Sequence, residues 1–329
     1  MKVVFFGTPE FAVPALAALI GSKHRVVCVA AQPDRPAGRG MKLQKPPVAQ
    51  LAIEASIPLM QPEKIRNEEF LDAIRGFGPD LGVVVAYGKI LPQALLDVPR
   101  HGFVNVHASL LPKYRGAAPI QRAIQNGEAV TGVTIMRVDA ELDHGPVFAM
   151  QSIPIGTDER TPSLAAKLAE AGGPLLLETI DRLEAGTAVE SEQKHELATY
   201  AAKIEKSEGE VRWEEPARRI YDRFRAFDPW PGVSATVGGE RVKILEMSVI
   251  AAEGEAEEEG GAGPDDLPLE MNARRQSPGT VVGVERDAVV VAAGAGAVRI
   301  TKIQRPGKRA SDPASLLRSR GMKSGDRLE

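Results

Sequence analysis

At 329 residues the chain has room for two ordinary domains, and 43% hydrophobic residues can fill both cores. A single cysteine, Cys28, excludes an internal disulfide, and no apolar run approaches the ~20 residues of a membrane span. The net charge of −3 is uneven: residues 251–270 hold eight acids and no Lys or Arg, so the remainder carries +5, and 299–327 hold nine basic side chains against two acids. A basic ordered part suits either a polyanionic partner or ordinary surface solvation.

The N-terminal run Val3-Val4-Phe5-Phe6 ends at Gly7, a helix is predicted over 11–20, and a second strand over 25–31. This opening lacks a signal-peptide pattern and marks a parallel α/β sheet in a cytoplasmic protein. Gly7-Thr8-Pro9-Glu10-Phe11 carries one glycine and an early proline, which supports a dinucleotide site poorly. Residues 33–47 hold four basic residues, four prolines and two glycines, and are expected to form a long cationic loop without helix or central strand. Cys28 sits in an apolar run and reads as core.

Further on, helices are predicted at 48–55 and 67–77, and strands near Pro58 and at 81–86 and 103–107. A helix at 119–125 and strands at 132–138 and 147–155 follow. A long closing helix spans 163–183, where Gly172-Gly173-Pro174 is expected to bend or interrupt it. Residues 190–207 read as a linker. Beyond it, a helix at 217–226 and short strands at 233–237, 242–247, 279–284, 288–292 and 298–303 suggest a small β-barrel. The acidic segment 252–275 is too polar to order itself and reads as a disordered insertion.

The chemistry-bearing stretch is Asn105-Val106-His107-Ala108-Ser109-Leu110-Leu111-Pro112. On a strand, Asn105 and His107 share one face while Val106 takes the other. Asp143, bounded by Gly145, is a candidate third polar group. An amide and an imidazole can meet the negative charge that develops on an acyl oxygen, and a carboxylate can orient the imidazole or take a proton. The competing reading of His107 is a hydrogen-bonded structural histidine. His24 and His101 sit in polar turns and are expected at the surface, and His195 lies in the linker. Neither H-E-x-x-H nor a cysteine pair is present, which leaves a metal site weakly supported, and no G-x-S-x-G nucleophile occurs. Direct transfer between two bound substrates is therefore favoured over a covalent enzyme intermediate.

Asn105-Val106-His107-Ala108-Ser109-Leu110-Leu111-Pro112-Lys113-Tyr114-Arg115-Gly116, followed by Leu142-Asp143-His144-Gly145-Pro146, resembles the folate-dependent formyltransferases. The opening Phe6-Gly7-Thr8-Pro9-Glu10-Phe11-Ala12, the 33–40 loop, Thr199-Tyr200-Ala201-Ala202-Lys203-Ile204 and Arg225-Ala226-Phe227-Asp228-Pro229-Trp230-Pro231-Gly232 are similar to the branch acting on initiator methionyl-tRNA. The resemblance covers nearly the whole chain. It implies that Asn105 and His107 polarise the formyl oxygen of 10-formyltetrahydrofolate, with Asp143 pairing with the imidazole. Ser109, Leu110, Leu111 and Pro112 would line the folate pocket, with backbone around Tyr87, Gly88 and Ile90. The loop carrying Arg35, Arg39, Lys42 and Lys45 would enter the acceptor end of initiator methionyl-tRNA. Lys203, Lys206, Lys302, Arg305, Lys308 and Arg309 would hold the tRNA elsewhere.

Three positions depart from the family pattern. His144 follows the acid, where it could shift the carboxyl's pKa or point to solvent. Asp228 stands before Pro-Trp-Pro-Gly, and the acidic insertion is expected to project away from the tRNA. The expected architecture is a Rossmann-like parallel-sheet domain at 1–189, a linker at 190–207 and an OB-like β-barrel domain at 208–329. The expected protein is a monomeric, metal-independent cytoplasmic enzyme. Rival readings are a formyltransferase for a small amine, such as a sugar nucleotide or glycinamide ribonucleotide, and a non-enzymatic RNA-binding module.

Overall fold

A computed structural model describes residues 1–37, 42–250, 273 and 275–329. They form two compact units: residues 1–120, 129–157 and 163–203, and residues 121–128, 158–162 and 204–329. In chain order the first part runs β1 (Lys2–Gly7), α1 (Val13–Ile20), β2 (Arg25–Ala30), β3 (Arg35–Ala37), β4 (Lys42–Gln44), α2 (Pro47–Glu54), β5 (Leu59–Met60), α3 (Glu68–Gly76) and β6 (Leu81–Val85). It continues through α4 (Gln93–Leu96), β7 (Phe103–His107), β8 (Arg115–Gly116), α5 (Pro119–Gln125), β9 (Val130–Arg137), β10 (Val147–Pro154), α6 (Thr161–Ala185) and β11 (Tyr200–Ala201).

The first unit is built on a seven-stranded sheet of order β10-β9-β7-β6-β1-β2-β5. β1, β2, β5, β6 and β7 pair in parallel, and β9 and β10 add an antiparallel edge. Val3, Val4, Phe5 and Phe6 are fully buried, which is why β1 reads as an unbroken apolar run rather than an alternating one. The chain leaves β1 toward β2 and β5, then returns to build β6 and β7 on the other side. That reversal opens a crevice beyond the carboxyl ends of the strands, where ligands bind in open α/β sheets. Tyr87 and Gly88 follow β6, and Ser109 to Pro112 follow β7, so the predicted site residues gather at this end.

Two local expectations are corrected. The 33–47 segment is not a structureless loop: β3 and β4 pair antiparallel, with Arg35 opposite Gln44 and Ala37 opposite Lys42. A two-stranded ribbon leaves outer edges that need no N–H donor, which accommodates Pro36. Asp34 ties the ribbon's base, accepting from Gln61 Nε2 at 2.7 Å and Lys45 Nζ at 3.3 Å, and those contacts, Gln61's first, hold its carboxyl below the usual range. Arg39 lies outside the described residues.

The other correction is α6, which runs uninterrupted through Pro174. A Cβ on Gly172 would sit 2.9 Å from Val106 Cγ1, and one on Gly173 would sit 3.2 Å from Ala18 Cβ. The glycines thus bring the helix close to β7 and α1, and packing outweighs their weak helix propensity.

Residues 190–203, expected as a linker, group with the first unit. Ser191 exchanges backbone hydrogen bonds with Val147, and β11 pairs with β8. Among the described residues, no helix is long and apolar enough to cross a membrane.

The second unit contains α7 (Ala217–Ala226), β12 (Val233–Val237), β13 (Glu240–Ile250), β14 (Val281–Val284), β15 (Val289–Ala292), β16 (Ala297–Gln304), β17 (Ala310–Ser311) and α8 (Pro313–Ser319). Its antiparallel sheet has the order β12-β13-β16-β15-β14, with β17 on β16. Val237, Ile244, Val289, Ile300 and Leu317 face one shared interior. The architecture is therefore a Rossmann-like α/β domain with a small β domain. α8 was not predicted, although Asp312 accepts from Ser315 N at 2.7 Å and Pro313 opens the helix. The acidic 252–275 stretch lies outside the described residues except for Ala273 and Arg275.

Gly82 shows how tightly the first sheet is packed. A Cβ there would lie 2.2 Å from Cε1 and 2.5 Å from Cγ of the fully buried Phe103 ring. Overpacking of this kind costs about 1–3 kcal/mol. Gly82→Ala is expected to lower the denaturation midpoint without changing the slope of the transition. An unchanged midpoint would show that the ring moves aside freely.

Candidate active site

β7 presents Asn105 and His107 on one face, and Val106 packs the other way against α6. Both polar side chains reach Asp143. Asn105 Nδ2 donates to Asp143 Oδ1 at 3.4 Å, and His107 Nδ1 lies 3.7 Å from Asp143 Oδ2. The Gly116 backbone N–H donates to the same Oδ2 at 2.8 Å. The acid is largely buried, with its side chain 15% exposed, and His107 is 5% exposed. The structure thus brings together all three residues expected from the sequence.

His107 is fixed at its other nitrogen. Nε2 lies 2.9 Å from the Tyr114 carbonyl, which only accepts, so Nε2 carries a hydrogen. Nδ1 is then the ring atom that faces Asp143.

The backbone around the trio is strained. Tyr114 has φ 61° and Asp143 φ 47°, a region that side-chain-bearing residues seldom occupy. Residues 199–201 staple the first of these turns: Tyr114 N donates to Thr199 Oγ1 at 2.8 Å, Arg115 N to Thr199 O at 2.8 Å, and Ala117 N to Ala201 O at 2.9 Å. Gly116 must be glycine here, since at φ 117° a Cβ would come within 2.9 Å of Ala201 O. A Cβ on Gly145 would lie 2.2 Å from Arg137 O, so that glycine lets the Asp143 turn rest against the end of β9.

The loop after β7 is held from within. Fully buried Thr134 donates its hydroxyl to Ser109 O at 2.7 Å and accepts from Leu111 N at 3.2 Å. Ser109 is itself fully buried, and its hydroxyl donates to Lys113 O at 2.6 Å. Ser109 therefore shapes the loop, Leu111 is buried, and Leu110 and Pro112 are half-buried.

Tyr87 packs its ring edge-on against Phe6 at 5.2 Å, and burial pushes its phenol up to about 12. Its carbonyl accepts from Thr8 Oγ1 and Gln32 Nε2. Gly88 is exposed, and Ile90, 73% exposed, borders a pocket of about 530 Å³ that Lys64, Arg66 and Lys89 also line. Lys89 donates to the carbonyls of Pro62 and Glu63, and burial, then Arg35, lowers its pKa.

His144 is half-buried, with its side chain 30% exposed. Its Nδ1 lies 2.9 Å from Asp139 Oδ2, and its ring stacks on His195 at 4.0 Å. His24, expected at the surface, is buried between the Met1 amine at 3.2 Å and Asp181 at 3.1 Å. His24, Asp181 and Glu184 bring possible metal-ligand atoms within 4.8 Å of one another. The Lys23 and Met1 ammonium groups already engage both carboxylates, so the cluster is an ion-pair network.

The cationic candidates divide between the units. Arg35, Lys42, Lys45 and Lys203 belong to the first and are exposed. Lys206, Lys302, Arg305, Lys308 and Arg309 belong to the second. There Lys302 pairs with Glu246 at 2.7 Å and Arg305 with Glu240 at 2.9 Å; both glutamates are held below their usual range by these contacts.

Sequence reasoning assigned no role to Arg115 or Gln193. Gln193 donates to Asp143 O at 3.0 Å and Gly145 O at 2.7 Å, and accepts from Arg115 Nε and Nη2. Arg115 stood inside a motif already singled out, whereas Gln193 lay in a polar stretch without periodicity.

Residues 1–180 match the formyl transferase family and residues 203–321 its C-terminal domain. A protein of Pseudomonas fluorescens named methionyl-tRNA formyltransferase is 45% identical over 97% of this chain and 93% of its own length. One of the same name from Sorangium cellulosum is 43% identical over 99% and 98%. Among solved structures, an N-formyltransferase from Helicobacter canadensis with folinic acid and dTDP-3-aminofucose shares the fold at TM-score 0.62 and 17% identity, over 93% of this chain and 99% of that one. HypX of Aquifex aeolicus in complex with tetrahydrofolic acid matches at TM-score 0.59 and 20% identity, over 96% of this chain and 47% of that one. With both family domains in order along almost its whole length, the chain belongs to the formyl transferase family.

Proposed function

We infer that this chain transfers the formyl group of 10-formyltetrahydrofolate to the α-amine of methionine on initiator methionyl-tRNA, with Asn105, His107 and Asp143 as its catalytic residues. The convergence of those three side chains at the carboxyl end of β7 carries the reading of the site. Full-length similarity to proteins named methionyl-tRNA formyltransferases supports the choice of acceptor.

The chemistry follows from the donors in place. A free α-amine has a pKa of about 7.7–8.0, so a usable fraction is neutral near pH 7. It attacks the formyl carbon, and a C–N bond forms as charge moves onto the formyl oxygen. Asn105 Nδ2 donates to that oxygen. His107, with Nε2–H held by Tyr114 O, donates through Nδ1 when the ring carries its second proton. Asp143 lies beside both and takes the proton that the attacking amine must lose. The bond from carbon to N10 then breaks, and N10 receives that proton as tetrahydrofolate leaves.

The approximately 530 Å³ pocket beside Ile90 offers the donor an apolar edge, and Lys64 and Arg66 offer charge for its glutamate carboxylates. Leu110, Leu111 and Pro112, with the backbone at Tyr87 and Gly88, border the same end of the sheet. The exposed cations of the β3–β4 ribbon, together with Lys203, Lys206, Lys308 and Arg309, serve the tRNA. Lys302 and Arg305 serve it as well, each shared with a glutamate. We place the enzyme in the cytoplasm as a monomer that needs no metal.

Purified protein should formylate initiator methionyl-tRNA and leave glycinamide ribonucleotide untouched in a radiolabelled-formyl assay. Activity on the small amine alone would overturn the choice of acceptor. His107→Ala should lower kcat by about 10²–10³, the usual cost of losing one oxyanion donor, with tRNA affinity retained. Full activity in that variant would remove the catalytic role.

Replacing Arg35 and Lys42 together by Ala should raise KM for the tRNA and flatten its salt dependence by about two phosphate contacts, with KM for the donor unchanged. A rise in donor KM instead would place the ribbon at the folate.

A further inference from the structure

We propose that Gln193 is a positioning residue for formyl transfer: its amide locks the backbone turn that aims the Asp143 carboxylate at Asn105 and His107. This rests on the assignment of Asp143 as the catalytic carboxylate.

The Asp143 turn is unfavourable by itself, because φ 47° crowds the side chain of an L-residue. Something must hold it, and the Gln193 amide meets it at two points. The carbonyls of Asp143 and Gly145 lie 3.0 and 2.7 Å from Nε2. Carbonyls only accept, so the end of the amide that faces them is the NH₂ group, and both of its hydrogens are used. At the other end, Oε1 accepts from Arg115 Nε at 3.2 Å and Nη2 at 2.7 Å.

All of this takes place out of water, with Gln193 7% and Arg115 3% exposed. Arg115 immediately precedes Gly116, whose N–H holds the Asp143 carboxylate. One amide therefore joins the backbone that carries the acid to the strand that receives it. Gln193 itself is anchored two residues earlier, where Ser191 and Val147 exchange hydrogen bonds at 2.8 and 2.9 Å.

Glutamate separates positioning from general support. In Gln193→Glu the side chain keeps its length and still accepts from Arg115, but an ionised carboxylate oxygen replaces the donor that faces two carbonyls. Protonating it restores one donor. At pH 8, kcat of Gln193→Glu should fall at least about tenfold, as small misplacements of catalytic groups do, with KM for both substrates within about twofold of the parent. A folded Gln193→Glu enzyme with parental kcat at pH 8, or one whose loss lies in KM for the substrates and not in kcat, would overturn the proposal.

Should that variant not accumulate in folded form, Gln193→Met, similar in length and without donor or acceptor, should lose kcat at every pH with donor affinity kept; parental kcat there would also overturn it. Asp143→Asn, assayed alongside, isolates the underlying assignment. If Asp143→Asn retains parental kcat, the reading of Asp143 fails; if it is inactive while Gln193→Glu is normal, the positioning role alone fails.

Discussion

The site depends on one hydrogen bond, the 2.8 Å contact from the Gly116 N–H to Asp143 Oδ2. It joins two turns that the chain would not adopt unaided. Tyr114 and Asp143 both sit at positive φ, and each such residue costs on the order of 1–3 kcal/mol that the surroundings must offset. Residues 199–201 supply part of that support from far along the chain, through Thr199 and the parallel pairing of β11 with β8. The conformation is therefore over-determined: the 114–118 turn is held by backbone bonds on one side and by the acid on the other. Because backbone groups do most of this work, their donors need no reorganisation when charge develops nearby, which is the condition for electrostatic catalysis.

Asp143 then has three neighbours with different duties. Gly116 fixes one oxygen, Asn105 reaches the other, and His107 stands just beyond hydrogen-bond length at 3.7 Å. The longer distance matters, because an imidazole already bonded to the carboxylate would have to break that bond before meeting a substrate oxygen. Here Tyr114 O takes the Nε2 hydrogen, so ring orientation is settled without engaging Nδ1. The adjacent His144 is kept out of this arrangement by Asp139 and by its stack on His195.

Much of this was legible in the sequence. Period-two spacing placed Asn105 and His107 on one face, and apolar runs at 3–6 and 81–86 marked buried parallel strands. Those signals are local, since side-chain alternation and strand burial need only neighbours along the chain. What escaped notice was non-local or outweighed by packing. Nothing near Gln193 shows that its partners are Asp143, Gly145 and Arg115, because that contact exists only after the chain returns to β10. Pro174 reads as a break, yet Gly172 and Gly173 pack so closely on Val106 and Ala18 that the helix continues. His24 looked solvated because its neighbours in sequence are polar; its partners in space are Met1 and Asp181. α8 differs from these, since its signals, the Asp312 cap and Pro313 at its first turn, are local to the sequence.

Charge is where counting along a sequence misleads most. The stretch 299–327 carries nine basic side chains, which suggests a uniformly cationic surface. Folding changes what that number means. Lys302 and Arg305 lie beside Glu246 and Glu240, and Arg299 beside Glu285 at 2.5 Å. Each such pair must be opened or shared before its cation can meet a phosphate, so it contributes less to counterion release than an unpaired lysine would. The β3–β4 ribbon is organised differently: Arg35 and Lys42 project from a two-stranded frame with both side chains exposed, and Lys45 anchors the frame through Asp34. A few cations on a narrow ribbon concentrate charge at one place, whereas paired cations on a sheet spread it and screen it. The ribbon therefore carries more of the chain's accessible positive charge than the tally of basic residues implies, whereas the strained turns around Asp143 hold polar groups at fixed positions.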